Sequence, residues 1–354
     1  MSDNRKEAEE KMAKAIFISG DGWLAVFDLL APSQLGLGIA LISHRFDFYV
    51  DEHFKTRKWS LGITRILGKK KMEIFKNYNF WKPLPIPKIQ LPRKVIGFER
   101  IIINFIDQNA IAFLGRFHPL FASFYPINLI IIAKNDCILE FILRNIWPMI
   151  AKNICSMHLM VDTFQRLRQF VPSFLNDCPS LRFVISCAGD LFAEFPCDDN
   201  AMASDGQALA KWLFTPHPVN VPKVFKCELD TDDGNLASKI EAFKTAFANA
   251  SSPVNFIVVT SFPLPFVESV VPFDLTNELT QEQLALKRII NSDHFLLIRC
   301  PIARDEIKWA KWEKEAIGWT YFDQWNRIDI HIDDERKIGD GLLSAMVGTS
   351  DQQK

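Results

Sequence analysis

The chain is poor in the local signatures that usually announce chemistry. Its seven cysteines include no Cys-x-x-Cys pair. Its seven histidines (44, 53, 118, 158, 217, 294 and 331) are scattered, without the His-x-His or His-Glu-x-x-His spacing of a zinc site. There is no Gly-x-Ser-x-Gly elbow, no P-loop and no Gly-x-Gly-x-x-Gly; the Gly36-Leu37-Gly38 stretch lacks a third glycine and opens no βαβ unit. These absences argue against a locally encoded hydrolase, phosphate-binding or dinucleotide-binding site. No cofactor and no metal are expected. Unpaired cysteines, odd in number, fit reduced thiols of the cytoplasm or nucleus.

Long uncharged apolar runs are also missing. The longest candidate, residues 127–150, carries Lys134, Asp136, Glu140 and Arg144 in its middle, which rules against a spanning helix. The opening residues, MSDNRKEAEEKMAK, mix both signs of charge and do not read as a secretory signal. With a net charge of −1 the whole molecule has no electrostatic reason to seek nucleic acid or a membrane. A 48% hydrophobic and 23% charged composition is that of a globular protein, expected to be soluble and intracellular.

What the sequence does contain falls into blocks. Residues 1–14 are a polar leader, 16–62 hold an unusually apolar stretch, and 63–95 read as a basic, proline-spaced connector. Residues 96–340 form the larger domain and 341–354 a tail. Between 55 and 94 there are twelve Lys/Arg against one acid, Glu73. Lys69, Lys70 and Lys71, followed by Phe75, Tyr78, Phe80 and Trp81, are loosely spaced for gripping a single strand of nucleic acid, so a solvated linker is the simpler reading.

The larger domain opens with a rhythm. β-rich runs at 100–106, 128–133, 156–161 and 181–186 alternate with helical stretches, and comparable positions (Ile101, Leu129, Met157, Leu181) lie 28, 28 and 24 residues apart. That is the period of a leucine-rich-repeat solenoid without its asparagine ladder, and also that of an ordinary βαβ sheet. A further βαβ unit is expected over 224–262. Short runs at 271–301 then suggest an antiparallel meander. In residues 305–319, Trp309, Trp312, Ala316 and Trp319 are spaced 3, 4 and 3, which places them on one helical stripe, more often core than recognition surface. Acidic clusters at Asp198-Asp199 and at Asp230 with Asp232-Asp233 are read as turn residues, and His158 as a half-buried strand residue.

The stretch VFDLLAPSQLGLGIALISHRF, residues 26–46, poses the main question. It reads as parts of three short helices, the first capped by Asp21 and stopped before Pro32, the second capped by Ser33, the third from Asp47. Their apolar residues cover far more than the stripe of roughly 100° that packing on one core requires. A unit this small cannot bury them all itself. A partner is the expected cover.

The same residues resemble an F-box. Trp23, Val26, Phe27 and Leu30 match its first helix, Pro32 its proline, and Leu35, Ile39, Ile42 and Phe46 its second apolar segment; Ile18-Ser19 replaces the usual Leu-Pro. Blocks downstream, including LPRKVIGFERI, GQALAKWLFTP, VPFDLTNELT and RCPIARDEIKWAKWEKEA, are similar to F-box proteins expanded in plant-parasitic nematodes. The resemblance implies a substrate-receptor subunit of a Skp-cullin-F-box ubiquitin ligase, itself non-catalytic. Trp23, Val26, Phe27, Leu30, Pro32, Leu35, Ile39, Ile42 and Phe46 would face the Skp-type adaptor, with Val26, Pro32, Leu35 and Ile42 outermost, and the larger domain would hold a target protein. The expected fold is α+β or α/β: a three-helix F-box, a degenerate leucine-rich-repeat-like βα domain, an antiparallel meander and a C-terminal amphipathic helix. The alternatives are an α/β enzyme with a helical cap, or an F-box-derived scaffold.

Overall fold

A computed structural model describes residues 18–27, 29–30, 35, 39–55, 62–68, 71–75, 97–116, 126–186, 191–228, 236–261, 270–289, 292 and 294–339. The chain divides into two compact units, Met1–Gly62 with Ile74–Ile96, and Ile63–Glu73 with Gly97–Lys354.

In the first unit, α1 (Gly20–Phe27) lies against α2 (His44–Lys55). Ser19, not Asp21, caps α1: its Oγ accepts from the Gly22 amide at 3.2 Å, satisfying one donor of the open first turn. The helix ends at Phe27, earlier than the expected stop before Pro32. Ser43 caps α2, its Oγ accepting from Phe46 N at 3.4 Å, so His44, Arg45 and Phe46 belong to the later helix rather than to the one before it. The expected Ser33 cap lies outside the described residues.

The second unit is mixed α/β around a twelve-stranded sheet. Its strands are β1 (Ile63–Gly68), β2 (Lys71–Phe75), β3 (Arg100–Ile103), β4 (Ile127–Ala133), β5 (Ile154–Leu159), β6 (Phe183–Ser186), β7 (Lys223–Glu228), β8 (Phe256–Ser261), β9 (Phe273–Asn277), β10 (Glu282–Arg288), β11 (His294–Pro301) and β12 (Arg327–Ile332). They lie in the order β2-β1-β3-β12-β4-β5-β6-β7-β8-β11-β10-β9. From β4 to β8 each strand pairs in parallel with the next, as an alternation of strand and helix dictates. The helices are α3 (Gln108–Arg116), α4 (Asp136–Asn145), α5 (Trp147–Ile150), α6 (Val161–Phe170), α7 (Asp205–Leu213), α8 (Leu236–Ala248) and α9 (Glu306–Gly318). The meander β9-β10-β11 is antiparallel, as its sequence suggests.

Two elements depart from the sequence reading. Residues 63–68 and 71–75, taken as the start of a connector, are strands at one end of the sheet. The rhythm also implies that β3 and β4 are neighbours, yet β12 stands between them, parallel to both. Among the described residues, the ladder joins β1, β2 and β3 to β4–β11 through β12.

Polar contacts around one asparagine place β12. Asn326 adopts a left-handed φ of 56°, which asparagine tolerates better than most residues. Its Oδ1 accepts from Phe98 N at 3.0 Å, its own amide donates to Phe98 O at 2.9 Å, and its carbonyl accepts from Asn128 N at 3.1 Å. One residue thus ties the entrances of β3, β12 and β4. Gly97 permits the approach, because a Cβ there would sit 2.4 Å from Asn326 Oδ1.

The two faces of the sheet are covered differently. On one face α9 packs over β6–β11, where Trp309, Ala316, Trp319 and Tyr321 join Phe183, Val224, Ile257, Val259, Leu296 and Ile298 in one buried cluster. Trp319 stacks on Phe183 at 5.1 Å, and Arg182 grips Glu315 through two bonds of 3.1 and 2.8 Å. The tryptophan stripe is therefore core. On the opposite face Phe243 of α8 and Phe214, just past α7, pack on Phe256. There Arg299 and Glu282, 0% and 1% exposed, form an ion pair at 2.6 Å; Glu282 also accepts from Val254 N at 2.7 Å. Hydrogen bonds of this quality are what make a fully buried pair tolerable.

Lys223 is a further buried cation on that face. Its Nζ donates to Trp212 O at 2.5 Å and lies over the Trp212 ring. Burial pushes its ammonium down from 10.5 to about 7. Between those values the unfolded chain holds a proton that the folded chain releases, so this group lowers stability as pH falls from 10.5 to about 7 and adds no further slope below. Lys223→Met is expected to flatten the corresponding rise in urea-unfolding free energy between pH 7 and 10. A second prediction concerns Asn326. Gly97→Ala should cost about 1–3 kcal/mol through the clash with Oδ1, and Asn326→Gly should cost a similar amount through the lost bond to Phe98 N. The double variant should be clearly less destabilised than the sum, measured as a double-mutant cycle.

Candidate functional site

The helical unit is held by a small aromatic core. Trp23 meets Phe46 edge-on at 4.8 Å and Phe27 at 6.2 Å, and Phe27 meets His53 edge-on at 5.9 Å. The spacings 23/27 on α1 and 46/50/53 on α2 bring one face of each helix together, with Val50 buried at 3% exposure. A Cβ at Gly20 would lie 3.2 Å from the Tyr49 ring, so the helices approach closely at that end.

Using the facing sides leaves the outer sides bare. Val26 is 39% exposed, Leu29 81%, Leu41 53%, Ile42 63% and Phe48 58%. The nine residues assigned to an adaptor face therefore separate. Val26 and Ile42 are exposed; Trp23, Leu30, Ile39 and Phe46 are half-buried; Phe27 and Leu35 are buried in the chain. Pro32 lies outside the described residues. Leu35, taken as outermost, is 0% exposed, so a partner would meet it only after rearrangement. Leu29, Leu41 and Phe48 were not among the nine; Phe48 could have been found, since on α2 it stands on the opposite side from Phe46 and Val50.

A second constellation, on the α9 side of the sheet, was not legible in the sequence. Arg327, Asp329 and His331 of β12 project to that side beside Arg100 of β3, Asn128 of β4 and Ser156 and His158 of β5, as the registers require. Asp329 is fully buried and accepts from Arg100 Nε at 2.6 Å and from Tyr321 Oη at 2.5 Å. Arg100 also reaches it through a second guanidinium nitrogen. Ser156 Oγ donates to Asn128 Oδ1 at 2.6 Å, while Asn128 Nδ2 donates to Trp325 O at 2.7 Å. The His158 ring lies 5.7 Å from that of Tyr321.

The electrostatics are those of a closed network. Burial and the neighbouring Asp329 push the Tyr321 hydroxyl far above its ordinary value, so it stays protonated and donates. Burial lowers both His158 and His331 below the usual imidazole range, and Asp329 partly offsets this in each. Burial likewise raises the thiols of Cys155 and Cys227 to about 12, which makes them inert at neutral pH. Among the described residues no three His, Cys, Asp or Glu side chains come together as a metal site, and no helix is long and apolar enough to cross a membrane. The acidic turn behaves as expected: Asp198 accepts from Asn200 N and Asp199 from Asn176 Nδ2.

Comparison of the chain with family models, with curated proteins and with solved structures found no match.

The Asp329 network gives a direct test of what holds the sheet centre. Asp329→Ala is expected to cost about 3–5 kcal/mol, because it removes the buried carboxylate that a part-buried guanidinium and a buried hydroxyl share. Tyr321→Phe should cost only about 1 kcal/mol. Chemical denaturation of the three proteins, wild type included, measures both.

Proposed function

We propose that this chain is the substrate-receptor subunit of a Skp-cullin-F-box ubiquitin ligase, working in the cytoplasm or nucleus. It docks on the Skp-type adaptor through residues 16–62 and holds a target protein with the sheet unit. One observation carries the proposal. Five large apolar side chains, Val26, Leu29, Leu41, Ile42 and Phe48, are exposed within 23 residues of a two-helix packing whose other sides already form its core. Such clustering is the mark of a surface that another protein covers. The resemblance of residues 18–46 to an F-box says which protein that is.

On this reading Ser19 replaces the usual proline without loss of function, since a serine cap starts a helix as well as a proline in its first turn does. The β4–β8 run, each strand beside its sequence neighbour, is a degenerate leucine-rich-repeat-like array. It is closed by the meander at one end and by β12 at the other. The unit then offers a rigid platform that brings a bound target near the charged conjugating enzyme, and the rate gain is one of effective concentration.

Co-purification with a Skp-type adaptor tests the proposal. Wild-type chain is expected to form a stable complex, and Val26→Asp/Ile42→Asp, which alters exposed positions only, is expected to lose it while unfolding at the same denaturant concentration. A soluble, folded wild-type chain that forms no complex would overturn the proposal. So would a complex indifferent to both substitutions.

A further inference from the structure

At the meander end the sheet stops at β9, which pairs with β10 on one side and, among the described residues, with no strand on the other. The backbone donors and acceptors along such an outer side are a template for a further strand. Proteins commonly block an edge of this kind with a lysine, a proline or a bulge. The segment FDLTN of β9 has no lysine and no proline, and its register with β10 is unbroken. Pro272 stands one residue before it.

The strand is apolar where water should meet it. Val271, just before β9, and Leu279, in the turn after it, are 75% and 76% exposed. They lie four residues from Leu275 on either side. Within the strand the two sides alternate. Half-buried Phe273 and Leu275 lie on the α8 side, where Lys244 sits over the Phe273 ring and Asn277 donates to Phe247 O at 2.8 Å. Asp274 and Thr276 are exposed on the other side.

This pattern complements itself. Two β9 strands paired antiparallel, about a two-fold axis normal to the sheet, keep every residue on its own side. With the axis at Leu275, that residue meets its own copy and Asp274 meets the partner's Thr276. Val271 then comes to the end where the partner's Leu279 stands. Moving the axis to Asp274 would set two carboxylates face to face, and moving it to Thr276 would set Asp274 against the partner's Glu278. Like charges directly opposite destabilise a strand pair. Charge at the ends favours the same register. The exposed Lys287 and Arg288 of β10 lie past the Phe273 end of β9, and exposed Glu278 lies past its other end. The two-fold therefore carries each Glu278 towards the basic pair of the other copy.

We propose that two copies of this chain pair through β9, antiparallel about Leu275, and so join their sheets edge to edge. A closed two-fold uses the edge of both copies and adds no third. The contact is only a short strand from each side, so the pairing is reversible, with a Kd in the micromolar range. It is independent of adaptor docking.

Sedimentation velocity of the full chain between about 1 and about 200 μM tests this. The mass is expected to rise from one chain to two and no further. Thr276→Asp sets an acid against the partner's Asp274 twice in each dimer and should weaken association about tenfold. Adding Asp274→Lys makes both contacts opposite in charge and should restore it. Both positions are exposed, so each variant should unfold at the wild-type denaturant concentration. Hydrogen exchange of the unaltered chain gives a second measurement. Amides of residues 273–277 should gain protection as chain concentration rises, while those of 327–332 do not change. A chain that stays single, a dimer indifferent to Thr276→Asp, a loss that Asp274→Lys does not recover, or exchange in 273–277 independent of concentration would each overturn the pairing.

Discussion

The insertion of β12 between β3 and β4 is the constraint on which the sheet unit depends. A strand more than 220 residues from β3 stands between β3 and β4, parallel to both, and joins the two sets of strands in one sheet. Ordering such a distant segment costs loop-closure entropy, though the cost rises only slowly with length. It is offset by contacts concentrated on few residues. Asn326 ties three strand entrances, Asp329 gathers Arg100 and Tyr321, and Ile106 bridges Ile338 just past the end of β12. Apolar alternation does the rest, with Ile328, Ile330 and Ile332 at 1% exposure or less.

The same insertion explains why a charged network occupies the middle of a sheet. A central parallel strand is ordinarily apolar on both sides. β12 alternates instead, and its polar side, Arg327, Asp329 and His331, falls beyond the stretch that α9 covers. Charged side chains placed there must find partners along the neighbouring strands, since unpaired charge in such surroundings is costly. Arg100 and Tyr321 supply them. The hydrogen bonds that fix Tyr321 also fix the turn after α9, so the helix that closes one side and the strand that closes the gap are positioned together.

Much of this was legible from pattern and some was not. β4–β8, the meander and α9 are visible because each run has one clear period and ordinary punctuation. The edge pair β1-β2 was hidden by its lysines and by the prolines that follow, which weight a window towards linker although ITRILG itself is rich in β-branched residues. The run RIDIHI shows the alternation of a strand, but nothing local says that its partners lie far earlier in the chain. The Asp329 network could not be foreseen for the same reason: its members sit at 100, 321 and 329 and meet only through the register. In the helical unit, composition revealed excess apolar surface. Which side chains carry it depends on where the Trp23–Phe46 contact turns each helix, and that turned Leu35 inward while leaving Leu29 and Phe48 outside.

The two units meet opposite demands with the same material. In the sheet unit the strands find apolar cover within the unit, α9 over β6–β11 on one side and α8 with the Phe214 turn on the other. Among its buried charges, Arg299 is matched with Glu282 and Arg168 with Asp205. The helical unit has only two described helices and one aromatic cluster with which to bury its apolar residues. Geometry alone decides the difference. A pair of short helices has too little interior for its surface, and a sheet covered on both sides has enough. On the proposed reading, the apolar side chains left outside the small helical unit are the surface that a partner covers.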